Sequence, residues 1–280
     1  MRKSFSIQRA TRTALRSSAR RSASLLARMI ASSHRMTWLA RAVAEDLTAR
    51  GISHRQLPYD HVQNWAEESL ARYLHCDPQS IRQVVIVGGH LAFEVDRMAA
   101  LYPNARFSVF EPSPRYFPLL ADRLAGNPRV RCERLAVGDS CGETSFFETN
   151  LDGSGSLLLP GAAAARDYGM RQSEVHRVAM VTLDAYFAND NADPPIDLLW
   201  CDVQGAENKV LGGACRTLAR TRAIFLEVSA WERIYVGGAT LRELDDLLAP
   251  FGFVLVGLGT DWLNGTGNAL WIHPERRGSS

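Results

Sequence analysis

The chain has 280 residues, 46% of them hydrophobic, which suits one large domain with an appendage. Its 32 basic and 30 acidic residues hide an asymmetry: residues 1–44 hold ten Lys or Arg and no Asp or Glu, leaving 22 basic against 30 acidic, a formal −8, in the rest. An acidic body argues against nucleic acid as a partner. No apolar run reaches about 18 residues, which argues against a membrane-spanning helix.

In chain order, residues 1–45 form a basic, Arg- and Ser-rich segment. Leu25, Leu26, Met29, Ile30, Trp38, Leu39 and Val43 would share one helical face. Two readings stand. One is an amphipathic helix in peripheral contact with an anionic membrane, or an organelle transit peptide; the other is a disordered basic tail. Residues 46–80 read as a helical extension, with Val62, Trp65, Leu70, Tyr73 and Leu74 at helical spacing over 61–76 and Asp77-Pro78 as its stop.

Strands and helices alternate over 81–275. Val84–Val87 is the first strand, followed by Gly88-Gly89 and a helix over Leu91–Leu101. Arg106–Phe110 is the second strand, 115–125 a helix, and Val130–Val137 the third strand. Thr144–Glu148 is an extra strand and 150–176 a long loop carrying Gly153-Ser-Gly-Ser156, a length that is usually functional or mobile. Val178–Leu183 is a short strand, Ile196–Cys201 the fourth strand, 206–219 a helix and Ala223–Val228 the fifth strand. A helix over 240–249 precedes a closing pair, Phe253–Leu258 and Ala269–His273. Such alternation predicts an α/β, doubly wound, Rossmann-like parallel sheet with helices on both faces. Of the five cysteines, none in a C-x-x-C pair, Cys132 and Cys201 fall inside strands; buried reduced thiols in a cytoplasmic protein are the expectation.

Ligands of such sheets bind past the carboxyl ends of the strands, where strand order reverses. Gly88 and Gly89 let the backbone approach a ligand, and the helix start beyond offers free N–H groups. Glu111, 22 residues after Gly89 and at the end of the second strand, suits a pair of ribose hydroxyls. Asp139, after the third strand, is placed to receive an adenine amino group. A dinucleotide needs G-x-G-x-x-G, and Gly88-Gly89-His90-Leu91-Ala92 lacks that third-glycine arrangement, so the turn favours S-adenosylmethionine over NAD. No His and carboxylate cluster has metal spacing, so no metal is expected.

The segment Ile196-Asp-Leu-Leu-Trp-Cys-Asp202-Val-Gln-Gly-Ala-Glu207-Asn-Lys-Val-Leu-Gly-Gly-Ala214 is the most specific. With Glu111-Pro112, Thr182-Leu-Asp184 and Glu227-Val-Ser229, it makes the chain resemble the FkbM-type methyltransferases over roughly 82–273. The resemblance implies a seven-stranded class I methyltransferase sheet and S-adenosylmethionine-dependent O-methylation, with a sugar or other small-molecule hydroxyl as acceptor. It implies that Gly88, Glu111 and Asp139 hold the cofactor and that Asp202 lies beside the transferable methyl. The first motif departs from the family's Asp-Val-Gly-Ala-Asn-x-Gly, reading Ile86-Val-Gly-Gly-His90-Leu-Ala92. Ile86 removes a carboxylate, and His90 is either the replacement polar contact or a structural residue.

Methyl transfer needs alignment of the acceptor and a base for its proton. Asp202, Glu207 and Glu227 are the candidates; we expect Asp202 to act as base or orienting group and Glu227 to bind substrate. Glu207 has a second role open to it, as a favourable charge at a helix start. Trp231 and Tyr235 read either as rings stacked on a sugar or as core. Two other readings are a non-catalytic methyltransferase-like binding module, motivated by Ile86 and Ala92, and a nicotinamide-dependent oxidoreductase, motivated by the strand–Gly–helix unit and Glu111.

Overall fold

The computed structural model describes residues 53–55, 70–188, 195–230, 232–261 and 265–276. These all belong to the second of two compact units, 51–280. The basic segment 1–44, most of the 61–76 helix with Val62 and Trp65, Trp231 and Asn264 lie outside the described residues.

Val84–Val87 bury all four side chains, as a strand covered on both faces must. The strands are β1 (Ser53–Arg55), β2 (Gln83–Val87), β3 (Arg106–Phe110), β4 (Val130–Glu133), β5 (Ala136–Val137), β6 (Gly142–Thr149), β7 (Gln172–Val181), β8 (Ile196–Cys201), β9 (Thr221–Ser229), β10 (Val254–Asp261) and β11 (Thr266–Ile272). The main sheet runs β1-β10-β11-β9-β8-β2-β3-β4. It is parallel except for β11, which is antiparallel to both β9 and β10. Seven strands form the expected sheet, and the three residues of β1 add an eighth at its edge.

The helices are α1 (Phe93–Leu101), α2 (Phe117–Leu124), α3 (Ala162–Tyr168), α4 (Leu183–Tyr186), α5 (Glu207–Gly212), α6 (Cys215–Leu218) and α7 (Leu241–Leu248). Val95 and Met98 of α1 and Leu120 and Leu124 of α2 pack in one cluster with Val84, Ile86, Phe107, Val109, Leu198 and Trp200. Leu70 and Leu74 join that cluster, which ties the end of the N-terminal extension to the core. The alternate residues Val85, Val87, Leu199 and Cys201 are equally buried on the other face. Chain order reverses between β2 and β8: from β2 the sheet grows through β3 and β4 on one side and through β8 and β9 on the other. The crevice at their carboxyl ends is therefore the switch point.

Several expected elements are corrected. The third strand divides at Arg134-Leu135: β4 stays in the main sheet, and β5 joins a separate three-stranded sheet, β5-β7-β6. The long loop holds α3 and the first residues of β7, whose early side chains are mostly exposed and so carry no apolar alternation. Leu183 belongs not to a strand but to α4, capped by the Thr182 hydroxyl. The helix over 206–219 breaks into α5 and α6 at Gly213, where a Cβ would stand 2.1 Å from the Gly138 carbonyl oxygen. Asp184 accepts hydrogen bonds from the Thr217 N–H and hydroxyl, both at 2.8 Å, and so closes the start of α6.

Candidate active site

The turn after β2 is shaped by what lies against it. Gly88 has φ +84°, and a Cβ there would meet the Asp202 carbonyl oxygen at 1.8 Å. Gly89 cannot carry one either, since it would meet Val109 Cγ1 at 2.5 Å. His90 and Ala92 continue in left-handed backbone, φ 45° and 48°, a conformation costly for residues with side chains. Ile86, where the family pattern has Asp, is fully buried among apolar residues and brings no charge to the crevice.

Glu111 is buried at the end of β3. Its Oε2 accepts the His90 N–H at 2.7 Å and its Oε1 the Ser113 N–H at 2.8 Å. Burial pushes its carboxyl up to about 7, opposed by those two backbone bonds. The remaining lone pairs face a slot walled by Val87, Phe110, Leu135, Val137, Phe146 and Leu157, an apolar surface suited to a flat heterocycle. Glu148 at the end of β6 lines the same slot and accepts a hydrogen bond from the Ser113 hydroxyl. Sequence reasoning missed it, although Phe146 and Glu148 lie in phase on one strand face, and an acidic residue in step with a buried aromatic is a readable signal.

Asp139 does not line this slot: its side chain is about half exposed and pairs with Lys209 Nζ at 3.2 Å. The loop Gly153-Ser-Gly-Ser156 covers the slot instead, with the Gly153 Cα side against the His90 ring and Gly155 against Phe146. About 50 Å³ of space for water remains beneath it. His90 Nε2 is buried under this loop with no hydrogen-bond partner. Burial holds the imidazole below its ordinary value, against the pull of Asp152, Asp202 and Glu148.

On the other side of Gly88 a wider cleft of about 640 Å³ is lined by Arg97, Tyr168, Asp202, Gln204, Glu227 and Tyr235, among others. Asp202 and Glu227 come together there from the ends of β8 and β9, where Gln204 Nε2 donates to Asp202 Oδ1 and to Glu227 Oε2, each at 2.8 Å. Burial raises the Asp202 carboxyl, while its bonds to Gln204 and Glu227 pull the other way. Glu207 is buried as well, pushed up to about 7 by burial. Its Oε1 accepts the Val203 and Gly205 N–H groups at 3.2 and 3.3 Å, which occupies it with closing the turn at the start of α5. Tyr235 is buried, and its hydroxyl lies 2.9 Å from Gln204 Oε1 and 3.0 Å from the Ser154 carbonyl, with one proton shared between these two acceptors. The structure thus gives Tyr235 a place in a polar network rather than an open ring face. Among the described residues no group of three His, Cys, Asp or Glu could hold a metal ion, and no helix is long and apolar enough to cross a membrane.

The residues present fit an adenosyl group. The Gly88 cradle excludes a side chain, Glu111 keeps acceptor capacity, the slot is apolar, and His90 Nε2 is an unsatisfied polar atom beside them. Comparison with known proteins agrees. Residues 87–255 match the methyltransferase FkbM domain. The chain is 32% identical to the 2-O-methyltransferase NoeI of Sinorhizobium fredii (strain NBRC 101917 / NGR234) over 178 residues, 61% of this chain and 72% of that protein. Among solved structures, the N-terminal domain of human METTL16 in complex with SAH gives a TM-score of 0.44 at 11% identity, covering 81% of this chain and 78% of that one. The fibrillarin of Aeropyrum pernix with natively bound S-adenosyl-L-methionine gives 0.42 at 9% identity, covering 74% of each. On the domain match and the 32% identity, the chain belongs to the FkbM family of S-adenosylmethionine-dependent methyltransferases.

Proposed function

We propose that this chain O-methylates a hydroxyl of a sugar or small natural product, using Asp202 as the base and Glu227 to bind the acceptor. The observation that carries this reading is the Asp202–Glu227 pair lining the wide cleft, with Gly88 and Asp202 shared between that cleft and the nucleoside slot. Two carboxyls facing open space are acceptors for hydroxyl protons, and the similar NoeI is itself an O-methyltransferase by name.

When bound, S-adenosylmethionine supplies a methyl group on a positive sulfur, already a good leaving group. The protein's tasks are then alignment and proton removal. Glu111 and the Gly88 turn would hold the ribose, the Phe146–Leu157 side the adenine, and His90 the polar methionine end in place of the carboxylate that Ile86 lacks. Asp202 takes the proton of the acceptor hydroxyl, and Glu227 fixes that hydroxyl's direction.

The test is calorimetry with S-adenosylmethionine and S-adenosylhomocysteine, followed by transfer of labelled methyl to a panel of sugars, phenols and amines. Binding of both and an O-methyl ether as product are expected. An N-methyl product sinks the acceptor assignment, and donor binding without any transfer favours the binding-module reading that Ile86 motivates. Residues 1–44 are proposed as an anionic-membrane contact: their removal should abolish binding to vesicles containing anionic lipid, and unchanged binding rejects the idea.

A further inference from the structure

Gln204 lies between the two carboxyls, within the Asp202-Val-Gln-Gly-Ala-Glu207 run that carries the family resemblance. It sits in the turn from β8 to α5 in left-handed backbone, φ 56°, followed by Gly205 at φ +91°. Its Nε2 donates to Asp202 Oδ1 at 2.8 Å and to Glu227 Oε2 at 2.8 Å. A primary amide has two N–H donors, and both end here on carboxyl groups. Its Oε1 accepts the Tyr235 hydroxyl at 2.9 Å. That donor fixes which way the amide faces, because the flipped amide would turn its oxygen toward both carboxyls. The surroundings hold the arrangement. A Cβ at Gly205 would stand 2.8 Å from the Tyr235 ring, and the Ser156 hydroxyl donates to the Gln204 carbonyl at 2.8 Å.

We propose that Gln204 is a positioning residue for the methyl transfer, holding the Asp202 and Glu227 carboxyls side by side at the cleft and favouring the carboxylate form that takes the acceptor's proton. The proton leaving the acceptor oxygen, as that oxygen bonds to the methyl carbon and sulfur keeps the electron pair of the broken bond, passes to the Asp202 carboxylate. This rests on the transfer reading above. Two carboxyls in contact resist double ionisation, and two donated N–H bonds offset that resistance. Among the described residues, the other titratable groups around the pair include His90, Glu111, Cys201, Glu207 and Tyr235, and Glu94, Arg97, Asp152 and Tyr168 line the same cleft.

Gln204→Met keeps the length of the side chain and removes both donors. In the full-length protein without donor, infrared spectroscopy reads the protonated-carboxyl band as a function of pH, and the difference against Asp202→Asn separates the pair from Glu111 and Glu207. The expected result is a midpoint moved to higher pH in Gln204→Met, because a carboxylate that loses N–H donors holds its proton more tightly. In the transfer assay kcat falls about 10- to 100-fold, with the acid limb of its pH profile moved upward and donor affinity little changed. Tyr235→Phe, which frees the amide to flip, moves both readouts the same way by less, and it carries the test if melting shows Gln204→Met unfolded. An unmoved infrared midpoint overturns the proposal. A moved midpoint with no product from the hydroxyl panel keeps Gln204's role and sinks the acceptor assignment; product formation with unmoved midpoint and kcat does the reverse.

Discussion

Strands β8 and β9 carry charged residues five positions apart, and their two ends are built in opposite ways. At the amino end, Asp197 meets Arg222, Oδ1 to Nη1 at 2.7 Å, with both side chains largely buried. The other Asp197 oxygen receives the Arg82 and Gln83 N–H groups at 2.6 and 3.0 Å. Arg222 Nε goes on to the Arg276 carbonyl at 2.9 Å, and Arg276 to the Leu218 and Thr221 carbonyls at 2.8 and 2.7 Å. Opposite charges meet, and the leftover donors end on carbonyls. At the carboxyl end, Asp202 meets a second carboxyl, Glu227, with a neutral amide between them. Around them stand a partnerless His90 Nε2 and left-handed backbone at His90, Ala92 and Gln204. Such unfavourable features persist only where the rest of the structure over-determines them, and they mark the end that does chemistry.

Two substitutions break the comparison most sharply. Asp202→Asn should lower the methyl-transfer rate by about 10²- to 10⁴-fold, the range of a lost general base. Donor affinity by calorimetry should survive, and melting should not drop, because the substitution removes a like-charge contact. An Asp202→Asn enzyme of normal rate would take the base role from this residue. Asp197→Ala should do the opposite. Leaving Arg222 buried without its partner costs about 3–5 kcal/mol in unfolding free energy, read by urea denaturation, while the rate per folded molecule holds. If Asp197→Ala were stable and slow, the two ends would not differ in kind.

How much of this contrast is legible in the sequence depends on whether each role is written in pattern or in space. The apolar run Val84–Val87 and the motif around Asp202 name the sheet and its functional end from residue type alone. The strand–Gly–helix unit with Glu111 also suggests a nicotinamide nucleotide, a reading that the missing third glycine disfavours and family membership removes. The small β5-β7-β6 sheet is not legible: early β7 is exposed on both faces, and α3 begins with four alanines that form no apolar stripe. Asp139 shows the limit of spacing arguments, since its distance past the third strand fits an adenine contact while Lys209 holds its side chain elsewhere. Gln204 shows the other limit. Its role comes from which groups two amide hydrogens reach, and those groups come from β8, β9 and the Tyr235 segment.

A smaller effect sharpens the contrast through pH. Glu111 and Glu207, both at the carboxyl end, are pushed up to about 7 from 4.5 by burial. The folded state keeps protons that the unfolded chain releases between those values. Stability from these groups is therefore present in full below about pH 4.5 and lost as pH rises through about 7. Glu207→Gln should flatten that part of the curve of unfolding free energy against pH, measured by denaturant titration across the same window. An unchanged slope would mean that the buried carboxyls at this end carry no such strain.

The smallest effect tests whether the carboxyl end is sensitive everywhere or only where its carboxyls meet. Thr240 pairs with Ser229 at the site end of β9 and caps α7. The Glu243 carboxylate accepts the Thr240 N–H at 2.8 Å, and the Thr240 hydroxyl accepts the Glu243 N–H at 3.4 Å. This reciprocal pair satisfies two amides that the helix start leaves open. Thr240→Ala should cost about 1 kcal/mol, a drop of roughly 2–4 °C in Tm for a domain of this size. The capping pair shares no hydrogen bond with Asp202, Gln204 or Glu227, so kcat and its pH profile should hold. A fall in kcat matching the loss of stability would spread the sensitivity over the whole end of the sheet, and the special standing of the carboxyl pair would go with it.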